Sequence, residues 1–170
     1  SKRTDVPTYV EYGAADLGVV GKDTLLESGK DVAELVDLGF GRCRLVVAVP
    51  QASGIRDVQE LDFNSRVATI FPHITTEYFS RQGIQAEVVE LNGSVELGPI
   101  VGLADAIVDI TETGTTLLEN GLVPIADVAQ ISTRLIANQV SYKVKHGAIH
   151  SLVKRLKAVL EAKMDTGMEG

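Results

Sequence analysis

The sequence predicts an α/β fold with parallel strands. Short β-rich runs alternate with helical stretches, and turns marked by glycine or proline separate them. The chain has 170 residues, room for one ordinary domain or two small lobes. With 45% hydrophobic and 23% charged residues its composition is globular, and a chain of this length folds without disulfides or metal.

Residues 6–12 form a short helix by pattern, with Pro7 in the first turn, where its missing N–H costs nothing. Residues 16–20 make a strand ending at Gly21, and 22–27 a helix stopped at Ser28 and Gly29. Strands are expected at 32–37 and 44–49, with Gly39 and Gly41 between them permitting a sharp change of direction. A second series follows: strand 66–70, helix 75–81, strand 86–91, helix 94–101, strand 106–110 and helix 115–119. From 126 the chain is expected as loop, returning to strand near 132–136. Residues 147–164 form one long helix, because Ile149, Leu152, Val153, Leu156, Val159 and Leu160 recur at the helical period. The strand-rich middle, about 45–135, is self-contained, and the flanking segments can pair into another lobe. Two crossings without a long linker then make a hinge with a ligand cleft between lobes.

Charge and composition exclude several classes. Sixteen Lys and Arg against 23 Asp and Glu give 16 − 23 = −7. That balance argues against nucleic-acid and anionic-membrane binders, which depend on cationic side chains. No Trp and 5% aromatics leave few platforms for stacking bases. The longest strongly apolar run, 45–49, is too short to span a bilayer. The single cysteine, Cys43, excludes an internal disulfide and fits a reducing, cytoplasmic setting. Residues 1–5 lack a signal-peptide core, and with no initiator Met the chain is expected to be processed or part of a longer protein.

The sharpest motif runs from 106 to 117. An apolar strand enters a loop with Asp109, Glu112, Gly114 and several threonines, and a helix starts. A helix start presents unpaired N–H groups and attracts phosphate, Gly114 lets backbone approach closely, and the Thr113, Thr115 and Thr116 hydroxyls can donate. Asp109 and Glu112 would repel phosphate at the same point. They suit sugar hydroxyls or a metal-bound water one step away. The plain alternative is threonine capping, with Gly114 serving a tight turn. Two further junctions, Asn92-Gly93-Ser94 with Ser94 as N-cap and Phe71-Pro72-His73, would open on the same carboxyl edge of a parallel sheet, where such folds bind ligands.

Other features carry less. Gly18 and Gly21 match neither phosphate-loop nor dinucleotide spacing, and close packing of helix on sheet explains them, although Lys22 can face the cleft. His146 and His150 lack the glutamate of a zinc peptidase and fit a surface or an interface. His73 is one loop histidine, and Cys43 a small packed thiol. The apolar stripe of the last helix covers either its own lobe or a subunit contact.

Together these segments resemble the catalytic subunit of ATP phosphoribosyltransferase, which opens histidine biosynthesis. The matching stretches are 5–18, 21–23, 91–97, 101–105, 109–122, 134–138 and 141–143. The resemblance implies a two-lobed fold like type II periplasmic binding proteins. Lobe I takes 1–44 and 139–170, and lobe II takes 45–138 with the phosphoribosyl-pyrophosphate loop. It also implies transfer of phosphoribose to N1 of the ATP adenine, with release of pyrophosphate and with magnesium (Mg2+). Substrate contacts are expected at Asp109, Glu112, Thr113, Gly114, Thr115, Thr116 and Leu117: the 5′-phosphate on Gly114 to Leu117, the ribose near Asp109 and Glu112. No metal-ligating residue is assigned. The implied partners are a homo-oligomer and a histidyl-tRNA-synthetase-like regulatory subunit of the short form, with no nucleic acid and no membrane.

Family members begin with a strand carrying Lys-Gly-Arg, then a helix and another strand, before the Asp5-Val6-Pro7 segment. Without them lobe I is incomplete and this chain alone is expected to be weakly active or inactive. A catalytic arginine is expected just before Asp5; Arg3 is the nearest candidate, and Lys2 stands at the closer register. The rival reading is a non-catalytic two-lobed small-anion binding or sensing protein; a structural subunit is a further one.

Overall fold

The computed structural model describes residues 2–167. Ser1 and residues 168–170, assigned from sequence to the first lobe, lie outside the described residues. In chain order come α1 (Val6–Glu11), β1 (Leu17–Gly21), α2 (Lys22–Ser28), β2 (Ala33–Asp37), β3 (Cys43–Pro50), β4 (Arg66–Thr69) and α3 (Pro72–Arg81). There follow β5 (Glu87–Glu90), α4 (Leu97–Ile100), β6 (Ala106–Thr111), α5 (Thr115–Glu119), β7 (Leu122–Ile131), β8 (Thr133–Ala137), α6 (Gln139–Val144) and α7 (His146–Thr166). Two compact units result. One is built from the chain up to Arg42 and from Ser132 onward, the other from Cys43–Ile131.

The first unit holds a three-stranded sheet in the order β1-β8-β2, with both pairings antiparallel. The expectation of parallel strands does not hold in this unit: β8 arrives from far along the chain, inserts between β1 and β2, and runs against both. This arrangement also places the crossing between Ile131 and Ser132, where the sequence reading put it after 138; the other lies before Cys43, where β3 begins. Neighbours Leu135 and Ile136 face opposite sides, as a strand requires. Ile136 packs with Val10, Val20 and Leu25. Leu135 packs with Val36 and Leu38, and Val153, Leu156 and Leu160 of α7 lie against that cluster. The α7 stripe therefore covers its own unit, while Leu152 and Val159 of the same stripe stay exposed.

Several matched motifs have structural duties here. A methyl group on Gly18 would come within 2.8 Å of both Val6 Cγ1 and Val10 Cγ2, so bare backbone lets α1 lie on β1. Buried Asn138 accepts the Val140 and Ser141 N–H groups, capping α6, and donates Nδ2 to the Val10 and Glu11 carbonyls at the end of α1. Asp16 accepts from Ser141 Oγ at 2.7 Å and Lys145 Nζ at 2.8 Å. Those bonds, Lys145 first, hold its carboxyl below the usual range. Lys22 is engaged by Glu34 at 2.7 Å.

The second unit carries a five-stranded sheet in the order β5-β4-β6-β3-β7. β4 pairs in parallel with β5 and β6, while β3 runs against β6 and β7. The crossovers from β4 to β5 and from β5 back to β6 run in opposite directions across the sheet, so the general rule of right-handed connections assigns α3 and α4 to opposite faces. On one face Val46, Ala48, Ala68 and Ile107 pack with Val95, Ala104, Leu117 and Leu122. By alternation Leu45, Val47 and Val49 face the other side. Residues 45–49 are all fully buried, which explains their continuous apolar run.

The local departures have physical causes. β7 is a ten-residue strand where loop was expected from 126. It is an edge strand paired only with β3, so Pro124 is tolerated beside a register shift, and Asp127 faces out to bind Arg44 at 2.7 Å. Ser94 adopts φ +49, so it is not the N-cap of α4; Glu96 is, and the helix shortens to four residues. α3 starts at Pro72, which suits a first helical turn.

Candidate functional site

Because β4, β5 and β6 are parallel, their carboxyl ends and the loops that follow share one edge. There a cavity of about 250 Å³ is lined by Glu96 from the loop after β5, and by residues of β6, its loop and α5 from Asp109 to Asn120. Asp109, Glu112, Thr113, Thr115, Thr116 and Leu117, all expected from sequence, line it together. Two larger hollows, about 370 and 340 Å³, share Gly83, Ile84 and Gln85 at the opposite end of β5 and carry only one carboxylate, Asp62, between them. Chemistry, not volume, singles out the first.

Asp109 and Thr111 lie two apart on β6 and so share a face. Asp109 is partly buried, and its Oδ1 accepts the Ile110 N–H at 2.8 Å. Burial pushes its carboxyl above the usual range; the Ile110 bond opposes this, and the nearby Glu96 charge adds to it. Buried Thr111 accepts the Gly114 N–H on Oγ1 at 2.9 Å. Gly114 has φ +83 and is the N-cap of α5, with no side chain capping the helix. The threonine-capping alternative holds in part: Thr113 Oγ1 accepts the Thr115 N–H at 3.4 Å and Gly114 makes the tight turn, although the N-cap residue itself has no side chain to cap with. Thr113 Oγ1 and Thr115 Oγ1 lie 2.9 Å apart at the rim. Leu117 anchors α5 through its side chain in the core, leaving its first-turn amide as its polar contribution.

Other expected residues stand elsewhere. Arg3 is exposed in a 3-10 turn, Arg3–Asp5, of the first unit and is not a lining residue. His73 sits on α3, 3.6 Å from Glu77. His146 and His150 are exposed with stacked rings 5.7 Å apart. Among the described residues no group of three His, Cys, Asp or Glu is placed to hold a metal, and no helix is long and apolar enough to cross a membrane. Glu96, Ile110, Thr111 and Asn120 line the cavity without having been expected there, while Gly114, which was expected, shapes the turn and is not a lining residue. For Thr111 the signal was its spacing of two from Asp109. For Glu96 it was the second strand–loop–helix junction, and for Asn120 its place one turn after Thr116, whose carbonyl accepts its Nδ2 at 2.9 Å.

The family model described as HisG, ATP phosphoribosyltransferase, matches residues 2–158. The ATP phosphoribosyltransferase of Halothermothrix orenii is 52% identical over 162 residues, which is 95% of this chain and 73% of that protein. The ATP phosphoribosyl transferase (HisG:HisZ) complex from Thermotoga maritima superposes with a TM-score of 0.81 at 39% identity, covering 95% of this chain and 78% of that one. The substrate binding protein of an amino acid ABC transporter aligns at 0.63 and 16% identity, over 96% of this chain and 71% of its own, which shows a shared two-lobed fold. On this kinship the chain belongs to the ATP phosphoribosyltransferase family.

Proposed function

We propose that this chain transfers the phosphoribosyl group of phosphoribosyl pyrophosphate to N1 of the ATP adenine, releasing pyrophosphate, as the first step of histidine biosynthesis. The observation that carries the reading is the cavity at the end of β6. It combines a partly buried carboxylate, a turn held at positive φ and three threonine hydroxyls in one segment. Thr113, Thr115 and Thr116, with the amides of Thr116 and Leu117, receive the 5′-phosphate. Asp109 and Glu112 accept from the ribose hydroxyls. A bare anion receptor gains nothing from two carboxylates beside its ligand, which disfavours the non-catalytic reading.

The reaction breaks the bond between the anomeric carbon and pyrophosphate, whose oxygen keeps the electron pair. The adenine N1 lone pair makes the new bond. Holding the sugar while the two partners approach in line is the main task of the residues named, because displacement of this kind gains most from orientation. Asp109, fixed by the Ile110 N–H, gives the ribose one orientation. Magnesium would be held mainly through the substrate's own phosphates, with Asp109 or Glu112 available to accept from one of its bound waters and no cage of protein ligands needed. When bound it neutralises charge on the leaving pyrophosphate. Arg3 takes no step in this scheme. The Thermotoga maritima relative was solved as a HisG:HisZ complex, and we place this chain in the same kind of assembly. There a histidyl-tRNA-synthetase-like regulatory subunit joins a homo-oligomer of the short form, in the cytoplasm.

The test is pyrophosphate release by the chain, alone and with its regulatory subunit. Release should require ATP and phosphoribosyl pyrophosphate together. Release without ATP, or none in either assembly even with the family's N-terminal strand–helix–strand restored, would overturn the reading.

A further inference from the structure

Four N–H groups at the start of α5 lack a helical acceptor, since the first intrahelical bond runs from Leu118 to the Gly114 carbonyl. The Gly114 N–H is not open to a ligand, because it donates to Thr111 Oγ1 inside the protein at 2.9 Å. Thr111 is the last residue of β6, 7% exposed, and its position is fixed by pairing with Arg44 of β3. The rigid strand thus reaches across three residues to hold the one glycine whose positive φ turns the loop into α5.

We infer that Thr111 is a positioning residue for the proposed reaction: its hydroxyl fixes the turn at Gly114, so that the donors after it are in place before the phosphoribosyl group arrives. This rests on the reading that the loop receives that group. Without the bond the Gly114 N–H is left buried and unpaired, or the turn opens to satisfy it. Either outcome makes the substrate meet a loop that must first be ordered, and ordering weakens binding. The chemical step, once the sugar is seated, is little changed.

The experiment compares Thr111→Val, which keeps the branched shape, with Thr111→Ser, which keeps the hydroxyl. In the assembled enzyme Thr111→Val should raise KM for phosphoribosyl pyrophosphate roughly tenfold while kcat stays within about twofold. Thr111→Ser should recover most of the loss. Amide exchange at Gly114 should quicken in the valine variant and not along the rest of β6. If Thr111→Val does not fold, Thr111→Ala against Thr111→Ser poses the same question for two small side chains. Equal KM for wild type and Thr111→Val, or for the alanine and serine variants, overturns the inference. So does a fall in kcat that serine fails to restore. Wild type that shows no dependence on phosphoribosyl pyrophosphate overturns the functional reading itself, a separate result.

Discussion

Replacing Asp109 by Asn is expected to lower kcat/KM by about 10- to 100-fold while making the free protein more stable. The loss follows from weakening charge-assisted bonds to the ribose hydroxyls, which are stronger than neutral ones. The gain follows from the burial that pushes the Asp109 carboxyl upward, helped by Glu96. A carboxyl whose folded pKa lies above its unfolded one holds its proton more tightly when folded, so ionising it costs stability. That cost is complete above the raised value. It shrinks as pH falls from there to the ordinary carboxylate range, and is gone below it. Thermal melts of the two proteins should therefore differ most near neutral pH, with the variant higher, and converge in acid. A variant that melts lower at neutral pH would show that the carboxylate stabilises the fold and would remove the trade-off between stability and binding. Affinity for inorganic phosphate should fall far less than affinity for ribose 5-phosphate, because the carboxylate serves the sugar.

Gly114→Val should abolish measurable binding of phosphoribosyl pyrophosphate and cost about 1–3 kcal/mol of stability through backbone strain. That corresponds to a fall of roughly 2–12 °C in Tm for a chain of this size. At φ +83 a branched residue is strained, yet a Cβ at Gly114 meets nothing within 4 Å. Any loss therefore comes from the backbone and not from crowding. Gly83 provides the control, with φ +74, equally open space and no place in the cavity. Gly83→Val should show a similar fall in Tm and unaltered substrate affinity. Equal affinity loss in both variants would mean that strain alone, not the shape of this turn, governs binding.

What could be read without coordinates is set by how local its cause is. The run 45–49 and the period of α7 are local, and both elements formed where expected, because burial imposes a pattern on consecutive residues. β7 escaped because it lies at a sheet edge. Pro124, Asp127 and Gln130 break its alternation, and its partner β3 is distant in sequence. β8 escaped assignment to the right unit for a similar reason, since only pairing with β1 and β2 shows where it belongs. The same division holds in the site. Asp109, Gly114 and the threonines form one continuous strand–turn–helix and were legible as such. Glu96 reaches the cavity only because β5, β4 and β6 are parallel neighbours. The spacing of Thr111 from Asp109 points to its place on the lining face, but its hold on the turn comes from its side-chain hydroxyl accepting the Gly114 N–H, which only the folded loop brings together.

The most direct test of the account is calorimetric titration of the wild-type protein and of Asp109→Asn with phosphoribosyl pyrophosphate and magnesium, ribose 5-phosphate, and inorganic phosphate. The account predicts saturable, mutually competitive binding of both sugar phosphates to wild type, with weakened sugar-phosphate binding in the variant and phosphate affinity nearly retained. Sugar phosphates that bind wild type and Asp109→Asn equally well, or that bind neither, would contradict the claim that the segment from Asp109 to Leu117 receives the phosphoribosyl group.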